Sequence, residues 1–213
     1  MDYLRKIFIV PLLFFLFVTA GTLAAQDPPF EIEDWEKGIN ERQPAAEILD
    51  AIGAGPGMVI GEVGAGTGRM TLWLAWRVGG SGRVYANDIN EESLDHLRKR
   101  AKNEGFANIE VVVGEENNPR LPGGVLDIAF MINVYHHLED PIPLLRNILP
   151  SLKPGGCLAI VECDPAKVSW GKDHNCSSRE KMRKDLQEAG YEMVKIDSFL
   201  KEDSLYIARP VRK

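Results

Sequence analysis

The residues with the clearest chemical potential lie in one glycine-rich turn and in a segment that follows it. Gly64, Gly66 and Gly68 occupy alternate positions directly after a short apolar run. Glycine has no Cβ, so a ligand can lie against the bare backbone of such a turn. Asp88 stands at the end of the next strand-like run, 20 residues past Gly68, where a carboxylate can accept hydrogen bonds from both hydroxyls of a ribose. The pattern predicts a site for a nucleotide-type ligand.

Two adjacent histidines supply a second kind of chemistry. His136 and His137 follow a later apolar run, and His174 lies in a loop further along the chain. A histidine beside the reacting groups acts as a general base when an acceptor must lose a proton. The alternative is that each histidine only packs or caps the fold. Glu162, Asp164 or Cys163 would add a metal ligand, but no His-x-x-x-His spacing supports a metal site, so we predict none.

Alternating strand and helix patterns from Asp34 onward must position these residues. A helix is predicted over 43–52, and apolar runs predict strands at 58–63, 83–87, 109–113, 126–132 and 157–161, with a closing pair at 191–198 and 204–208. Buried parallel strands are apolar throughout, and strands separated by helices pair in parallel. We therefore predict a doubly wound α/β fold, a three-layer α/β/α sandwich that binds its ligand at the carboxyl ends of the strands.

Four segments carry a resemblance to a known family. Residues 59–68 resemble the first motif of the class I S-adenosylmethionine-dependent methyltransferases, and residues 84–89 are similar to the second-strand motif of that family. Residues 133–138 resemble the loop after its fourth strand, and residues 152–156 the turn before its fifth. The resemblance runs from about Gln43 to Arg209. It implies a Rossmann-like, seven-stranded, mostly parallel sheet with the last strand antiparallel.

The same resemblance implies a cofactor, S-adenosyl-L-methionine, and a role for each matching residue. Glu62 would position the methionyl end, Asp88 would bind the ribose and Ile89 would pack on the adenine. Glu115 matches the position that takes the adenine amino group, where the family more often has Asp, and Asn133 matches the position beside the reactive methyl. The implied cofactor-binding residues are Glu62, Gly64, Ala65, Gly66, Gly68, Asp88, Ile89, Glu115 and Asn133.

The resemblance thus implies a methyltransferase, whose acceptor the sequence does not name. The formal net charge of -6 argues against a nucleic-acid partner, and no separate recognition module is visible, so we expect a small-molecule acceptor. Trp35, Asn40 and Arg42 are candidates to cover the site.

One alternative function is that of a non-catalytic binding module of the same fold outside the cell. A nicotinamide-dependent oxidoreductase is disfavoured by the G-x-G-x-G spacing, which differs from G-x-G-x-x-G.

The first 25 residues form a separate unit. Arg5 and Lys6 precede an unbroken apolar run that ends in small residues near Ala25, the order typical of a secretory signal or an N-terminal membrane anchor. We expect residues 26–42 to be a linker and cover segment and residues 43–213 to be the methyltransferase domain. The domain would be exported, periplasmic or membrane-anchored, and cytoplasmic if the segment does not function. A bridge between Cys163 and Cys176 would be allowed outside the cytoplasm.

Overall fold

The computed structural model describes residues 27–168 and 175–211. The predicted signal or anchor over residues 1–25 and the candidate His174 lie outside the described residues. The helices of the described part are α1 (Asp34–Arg42), α2 (Ala45–Ala51), α3 (Arg69–Val78), α4 (Glu91–Asn103), α5 (Pro141–Ile148) and α6 (Arg179–Ala189). The strands are β1 (Val59–Val63), β2 (Arg83–Asp88), β3 (Ile109–Val113), β4 (Leu126–Ile132), β5 (Leu152–Cys163), β6 (Tyr191–Asp197) and β7 (Asp203–Pro210).

The strands form one sheet in the order β3-β2-β1-β4-β5-β7-β6. Neighbours from β3 to β5 pair in parallel, so that Val63 lies opposite both Asn87 and Met131, while β7 runs antiparallel to β5 and to β6. The chain starts at β1, builds outward to β3 and returns to β4, which makes the space beyond the ends of β1 and β4 the topological switch point. The predicted doubly wound fold with an antiparallel last strand is confirmed.

Two apolar clusters hold the helices on opposite faces of the sheet. Phe130 belongs to the cluster that includes Leu72 of α3, and its neighbour Met131 belongs to the cluster that includes Leu145 of α5. Successive side chains of a strand point to opposite faces, so β4 supplies both clusters. Each of these fully buried side chains contributes about 1.5–3 kcal/mol to folding. The core therefore fixes the strand ends at which the chemically interesting residues stand.

The helix predicted over 43–52 is observed as α2, two residues shorter at its start, and a separate helix, α1, precedes it. Helix α1 ends at Arg42, and α2 begins at Ala45 after Pro44, whose ring fixes φ and suits a helix start. Gln43 lies in the break between them. The interruption turns the buried Gln43 side chain toward the sheet, where it becomes part of the site.

The segment before α2 is anchored to the body of the fold. Arg100 of α4 makes two hydrogen bonds to the carboxylate of Glu36 of α1, at 2.6 and 2.9 Å, and both residues are buried. Phe30 packs edge-on against Trp73 and Phe106, with ring centroids 5.5 and 5.7 Å apart. Removing one partner of a buried ion pair typically costs about 3–5 kcal/mol. Helix α1 is therefore held in place over α3 and α4.

Within residues 27–168 and 175–211, no helix has both the length and the apolar character needed to cross a membrane.

Strand β5 begins five residues earlier than predicted, at Leu152. Leu126 pairs with Leu152, but Ile128 pairs with Cys157, so the extra residues of β5 form an irregularity in the ladder. Gly155, with φ of 91°, provides the left-handed conformation that this irregularity requires. The turn motif before the fifth strand is thus a bulge within the strand.

Candidate functional site

The glycine turn lies between β1 and α3, at the switch point of the sheet. Gly64, Gly66 and Gly68 all have positive φ, at 79°, 54° and 98°. A Cβ on Gly64 would lie 2.1 Å from the side chain of Val134, and one on Gly68 would lie 2.4 Å from that of Leu97. A Cβ on Gly66 would meet nothing within 4 Å. Packing explains two of the three glycines, and only Gly66 faces open space.

Two further residues of the motif lie beneath the turn. Ala65 is buried, and its N–H donates to the carbonyl of Asn87, 2.8 Å away. Glu62 is also buried and accepts a hydrogen bond from the hydroxyl of Thr71 at 2.5 Å. Burial raises the pKa of the Glu62 carboxyl to about 7, although the Thr71 hydroxyl and the Arg69 guanidinium oppose the shift. Glu62 supports the turn from behind and does not line the pocket described next.

A pocket of about 430 Å³ opens at the carboxyl ends of β1, β2 and β4. It is lined by Val63, Gly64, Asn87, Asp88, Ile89, Glu115, Glu116, Asn133, Val134, His137, Leu138 and Leu144. We call it the front pocket. Its volume falls within the usual range for small-molecule sites, roughly 300–1,000 Å³. Six of the residues chosen from the sequence, namely Gly64, Asp88, Ile89, Glu115, Asn133 and His137, meet there.

The carboxylate of Asp88 stands at the wall of the front pocket. One oxygen accepts the N–H of Gly66 at 2.7 Å, and the other accepts the N–H of Asn90 at 2.9 Å. The helix cap of α4 is Asn90, which accepts from Ser93, so Asp88 does not cap the helix. A carboxylate has about four acceptor sites, which leaves Asp88 able to accept two more hydrogen bonds.

An apolar side chain and two acids complete the same end of the pocket. The neighbouring Ile89 is 62% exposed, which is unusual for a large apolar side chain and provides a platform for a flat ligand. Glu115 pairs with Arg120 through a charge-assisted hydrogen bond, whereas Glu116 lines the pocket and forms no ion pair among the described residues. Sequence reasoning missed Glu116, which directly follows the residue it chose.

Asn133, directly after β4, joins the front pocket to the helix break. Its φ of 56° is left-handed, a strained conformation for a side chain other than glycine. Its amide and that of Gln43 exchange two hydrogen bonds, of 2.8 and 3.0 Å. Gln43 also donates to Asp203 at 3.0 Å and accepts from Arg69 at 2.9 Å. Sequence reasoning missed Gln43 and Asp203, and the only local signal was the glutamine before Pro44.

The two histidines lie in a 3-10 turn, Tyr135–His137, after β4. Nδ1 of His136 lies 2.7 Å from one carboxylate oxygen of the fully buried Glu162. The backbone N–H of His136 donates to the other oxygen at 3.2 Å. The hydrogen bond that His136 donates to Glu162 raises the pKa of His136, while partial burial opposes the shift. The ring of His137 lies against that of His136, with centroids 4.1 Å apart. Glu162 therefore orients His136.

A second pocket, of about 250 Å³, adjoins the front pocket and shares Asn133 and His137 with it. It is lined by Ile39, Arg42, Gln43, Asn133, His136, His137, Cys163, Glu202 and Asp203. We call it the side pocket. Of the residues considered as a cover, Arg42 lines the side pocket, Asn40 accepts from Arg69, and Trp35 is half exposed and lines neither pocket. The arrangement offers two compartments that meet at Asn133 and His137.

Cys163 lies at the wall of the side pocket and forms a disulfide with Cys176. His136, Glu162 and Cys163 bring potential metal-ligating atoms within 4.8 Å of one another. The sulfur of Cys163 is bonded to that of Cys176, so it is not a thiolate, the form that binds a metal. Glu162 is already engaged with His136. These three groups suit a hydrogen-bonded base better than a metal.

Comparison with known proteins identifies relatives of this arrangement. Residues 60–156, which contain the glycine turn and Asp88, match a family model described as a methyltransferase domain. The ubiquinone/menaquinone biosynthesis C-methyltransferase UbiE of Shewanella sediminis is 30% identical over 115 residues, covering 54% of this chain and 46% of that protein. An uncharacterized 37.1 kDa protein in transposon TN4556 of Streptomyces fradiae is 34% identical over 117 residues, covering 55% of this chain and 33% of that protein. The matches span a third to about half the length of these curated relatives.

A solved structure extends the similarity beyond the matched segment. The crystal structure of a SAM dependent methyltransferase from Aquifex aeolicus superposes with a TM-score of 0.73 at 26% sequence identity. The superposition covers 84% of this chain and 100% of that chain.

Proposed function

Because the chain belongs to the class I S-adenosylmethionine-dependent methyltransferases, we propose that it transfers a methyl group from S-adenosylmethionine to a small molecule held in the side pocket. The observation that carries this proposal is the meeting of two compartments at Asn133 and His137. One compartment has the groups that suit the donor, and the other has a histidine held by a buried carboxylate. Positioning two reactants in line supplies much of the rate in such a transfer.

The residues of the front pocket fit the donor. Asp88 would accept the ribose hydroxyls on its free acceptor sites, and Ile89 would pack on the adenine. Glu116, with Glu115 beside it, is placed to accept from the adenine amino group. Gly64 lines the same pocket with bare backbone.

When bound, S-adenosylmethionine supplies a methyl group that is already activated by its positively charged sulfur. The chain's own contribution is to hold the acceptor and to receive its proton. A carboxylate only accepts hydrogen bonds, so Glu162 selects the tautomer of His136 that carries its proton on Nδ1. Nε2 is then free to accept a proton from the acceptor. Asn133, fixed by its paired hydrogen bonds to Gln43, lies between the two compartments.

Calorimetric titration of the domain from about Gln26 tests the donor site. We expect S-adenosylhomocysteine to bind and NADH not to bind. Binding of NADH without S-adenosylhomocysteine would favour the oxidoreductase alternative and refute the proposal. Methyl transfer is then tested with a radiolabelled donor and a pool of small metabolites. Binding of S-adenosylhomocysteine together with no transfer to any acceptor would favour the non-catalytic binding module.

We also propose that the domain is exported or membrane-anchored through residues 1–25. The support comes from the basic residues before the apolar run and from the Cys163–Cys176 disulfide, because disulfides persist mainly in oxidising compartments. The donor is made in the cytosol, so an exported enzyme would need an external supply. Alkaline phosphatase fused after Arg42 should be active. Fluorescence from a reporter that works only in the cytosol would contradict export.

A further inference from the structure

The side pocket contains a buried carboxylate that forms no ion pair with any lysine or arginine of the described residues. Asp203 is only 5% exposed and lines this pocket. Its single hydrogen bond from a side chain is the one from Gln43, and no lysine or arginine side chain forms an ion pair with it among residues 27–168 and 175–211. Lys167 contacts only the backbone carbonyl of Asp203. A buried charge is normally paired, whereas the second carboxylate oxygen of Asp203 forms no hydrogen bond to another described residue.

The neighbouring charges do not supply that partner. Arg42, which lines the same pocket, is committed to Glu202 at 3.1 Å. Arg69 lies behind Gln43 and donates to Gln43 and Asn40. Glu162 stands behind His136 and adds a further negative charge. These arginines lie near Asp203, yet none of the described lysines and arginines forms an ion pair with its carboxylate.

The direction in which the pKa of Asp203 is shifted agrees with a carboxylate that has no ion pair among the described residues. Burial raises the pKa of Asp203, and the charges of Glu162 and Glu202 raise it further, while Gln43 and Arg42 oppose the shift. A cation that enters the pocket would restore part of the stabilisation that the carboxylate lost on burial. An anion would face the carboxylates of Asp203, Glu202 and Glu162. A neutral molecule would leave the charge of Asp203 without an ion-pair partner among the described residues.

We propose that the side pocket takes a small cationic acceptor, an amine in its ammonium form, and that Asp203 anchors its charge. This inference rests on the proposed methyl transfer, because it names the class of acceptor for the same site. The pocket volume of about 250 Å³ is below the usual range for drug-sized ligands, so the acceptor, or the part of it that enters, is small. Asp203 holds the cation until Nε2 of His136 takes one of its protons. The neutral amine nitrogen then accepts the methyl group and becomes a methylated ammonium, and the donor is left as a neutral thioether.

The test compares three probes of similar size and different charge: butylamine, butanol and butyrate. Each is titrated into the domain, with and without S-adenosylhomocysteine, while the side-chain amide resonances of Gln43 and Asn133 are followed by NMR. We expect butylamine to bind at least about tenfold more tightly than butyrate or butanol, because two opposite charges at a partly buried site attract strongly. Binding of butyrate that equals or exceeds that of butylamine, or no response of these amides to butylamine, would overturn the inference.

A matched pair of variants assigns the effect to Asp203. Asp203→Asn keeps an acceptor for Gln43 and removes the charge, and we expect it to abolish the preference for butylamine. Asp95→Asn makes the same change of net charge on an exposed part of α4 and should leave the preference intact. A preference that survives Asp203→Asn, or is lost in Asp95→Asn as well, contradicts the assignment. The wild-type comparison stands by itself if Asp203→Asn does not fold.

The two proposals can fail separately. If S-adenosylhomocysteine binds but the amine preference is missing, the acceptor class is wrong and the methyltransferase proposal remains. If S-adenosylhomocysteine does not bind while the amine preference is present, the methyl-transfer proposal fails, and the side pocket is an amine site with another role.

Discussion

The substitution Asp88→Asn probes the donor site with little change of shape. In the wild type, the two oxygens of Asp88 accept the N–H groups of Gly66 and Asn90, at 2.7 and 2.9 Å. In the variant, the amide oxygen can still accept from Gly66, the more buried of the two donors. The amide nitrogen would face the N–H of Asn90, which is exposed and can bond to water instead. We therefore expect a loss of unfolding free energy of about 1 kcal/mol or less, typical of one hydrogen bond.

The effect of Asp88→Asn on ligand binding should be larger than its effect on stability. The variant removes the negative charge and one acceptor, so a ribose hydroxyl loses a charge-assisted hydrogen bond worth roughly 1.5–3 kcal/mol. That loss corresponds to a roughly 10- to 150-fold higher Kd for S-adenosylhomocysteine. Titration calorimetry measures the Kd, and urea unfolding without ligand measures the stability. Asp95→Asn is the matched control, with unchanged affinity. An unchanged Kd in Asp88→Asn, together with a large loss of stability, would show that Asp88 is structural and refute the assignment.

Three further predictions concern the base, the glycine turn and the disulfide. The pKa of His136 is raised above its ordinary value of about 6.5. The rate of methyl transfer should therefore increase as pH rises through that raised pKa. Glu162→Gln should move this rising limb of the pH–rate profile to lower pH. The limb should not move in His137→Gln. Gly64→Ala should destabilise the fold by at least about 2 kcal/mol, because φ is positive there and the new Cβ would clash with Val134. In Gly66→Ala the new Cβ would meet no atom, so the loss should be about 1 kcal/mol. Urea unfolding measures both. Reduction of the Cys163–Cys176 disulfide, which closes a loop with a separation of 13 residues, should lower the unfolding free energy by about 3 kcal/mol, and Cys163→Ser should become insensitive to reductant.

The linkage between His136 and stability follows from the same hydrogen bond. A histidine whose pKa is raised in the folded state stabilises that state while it is protonated. This contribution is fully present below the unfolded pKa and is lost as pH rises through the folded pKa. The gain in activity and the loss of this stabilisation therefore occur in the same pH window, above the ordinary histidine value. Unfolding measured across that window, with Glu162→Gln as control, checks whether the two changes coincide.

Much of the lining of the front pocket could be predicted from the sequence because this pocket is built from short segments. The turn around Gly66 and the carboxylate of Asp88 follow consecutive strands, and parallel pairing brings the ends of those strands together. Local pattern therefore determines both the residue types and their meeting place. The reason for the glycines was only partly predicted, since Gly64 and Gly68 are required by Val134 and Leu97.

The lining of the side pocket could not be predicted from local sequence patterns, because its contacts join distant parts of the chain. Gln43 reaches Asn133 across 90 residues and Asp203 across 160, and no local periodicity encodes such pairs. The helix was predicted to begin at Gln43, with residues 26–42 as a linker and cover segment, so the break between α1 and α2 was not predicted. The same long-range contacts carry a chemical consequence. Asn133 is held in a left-handed conformation by groups that belong to the side pocket, so a change at Gln43 would disturb a residue that lines the front pocket. The front pocket and the side pocket are therefore joined by one hydrogen-bond network through Gln43, Asn133 and Asp203.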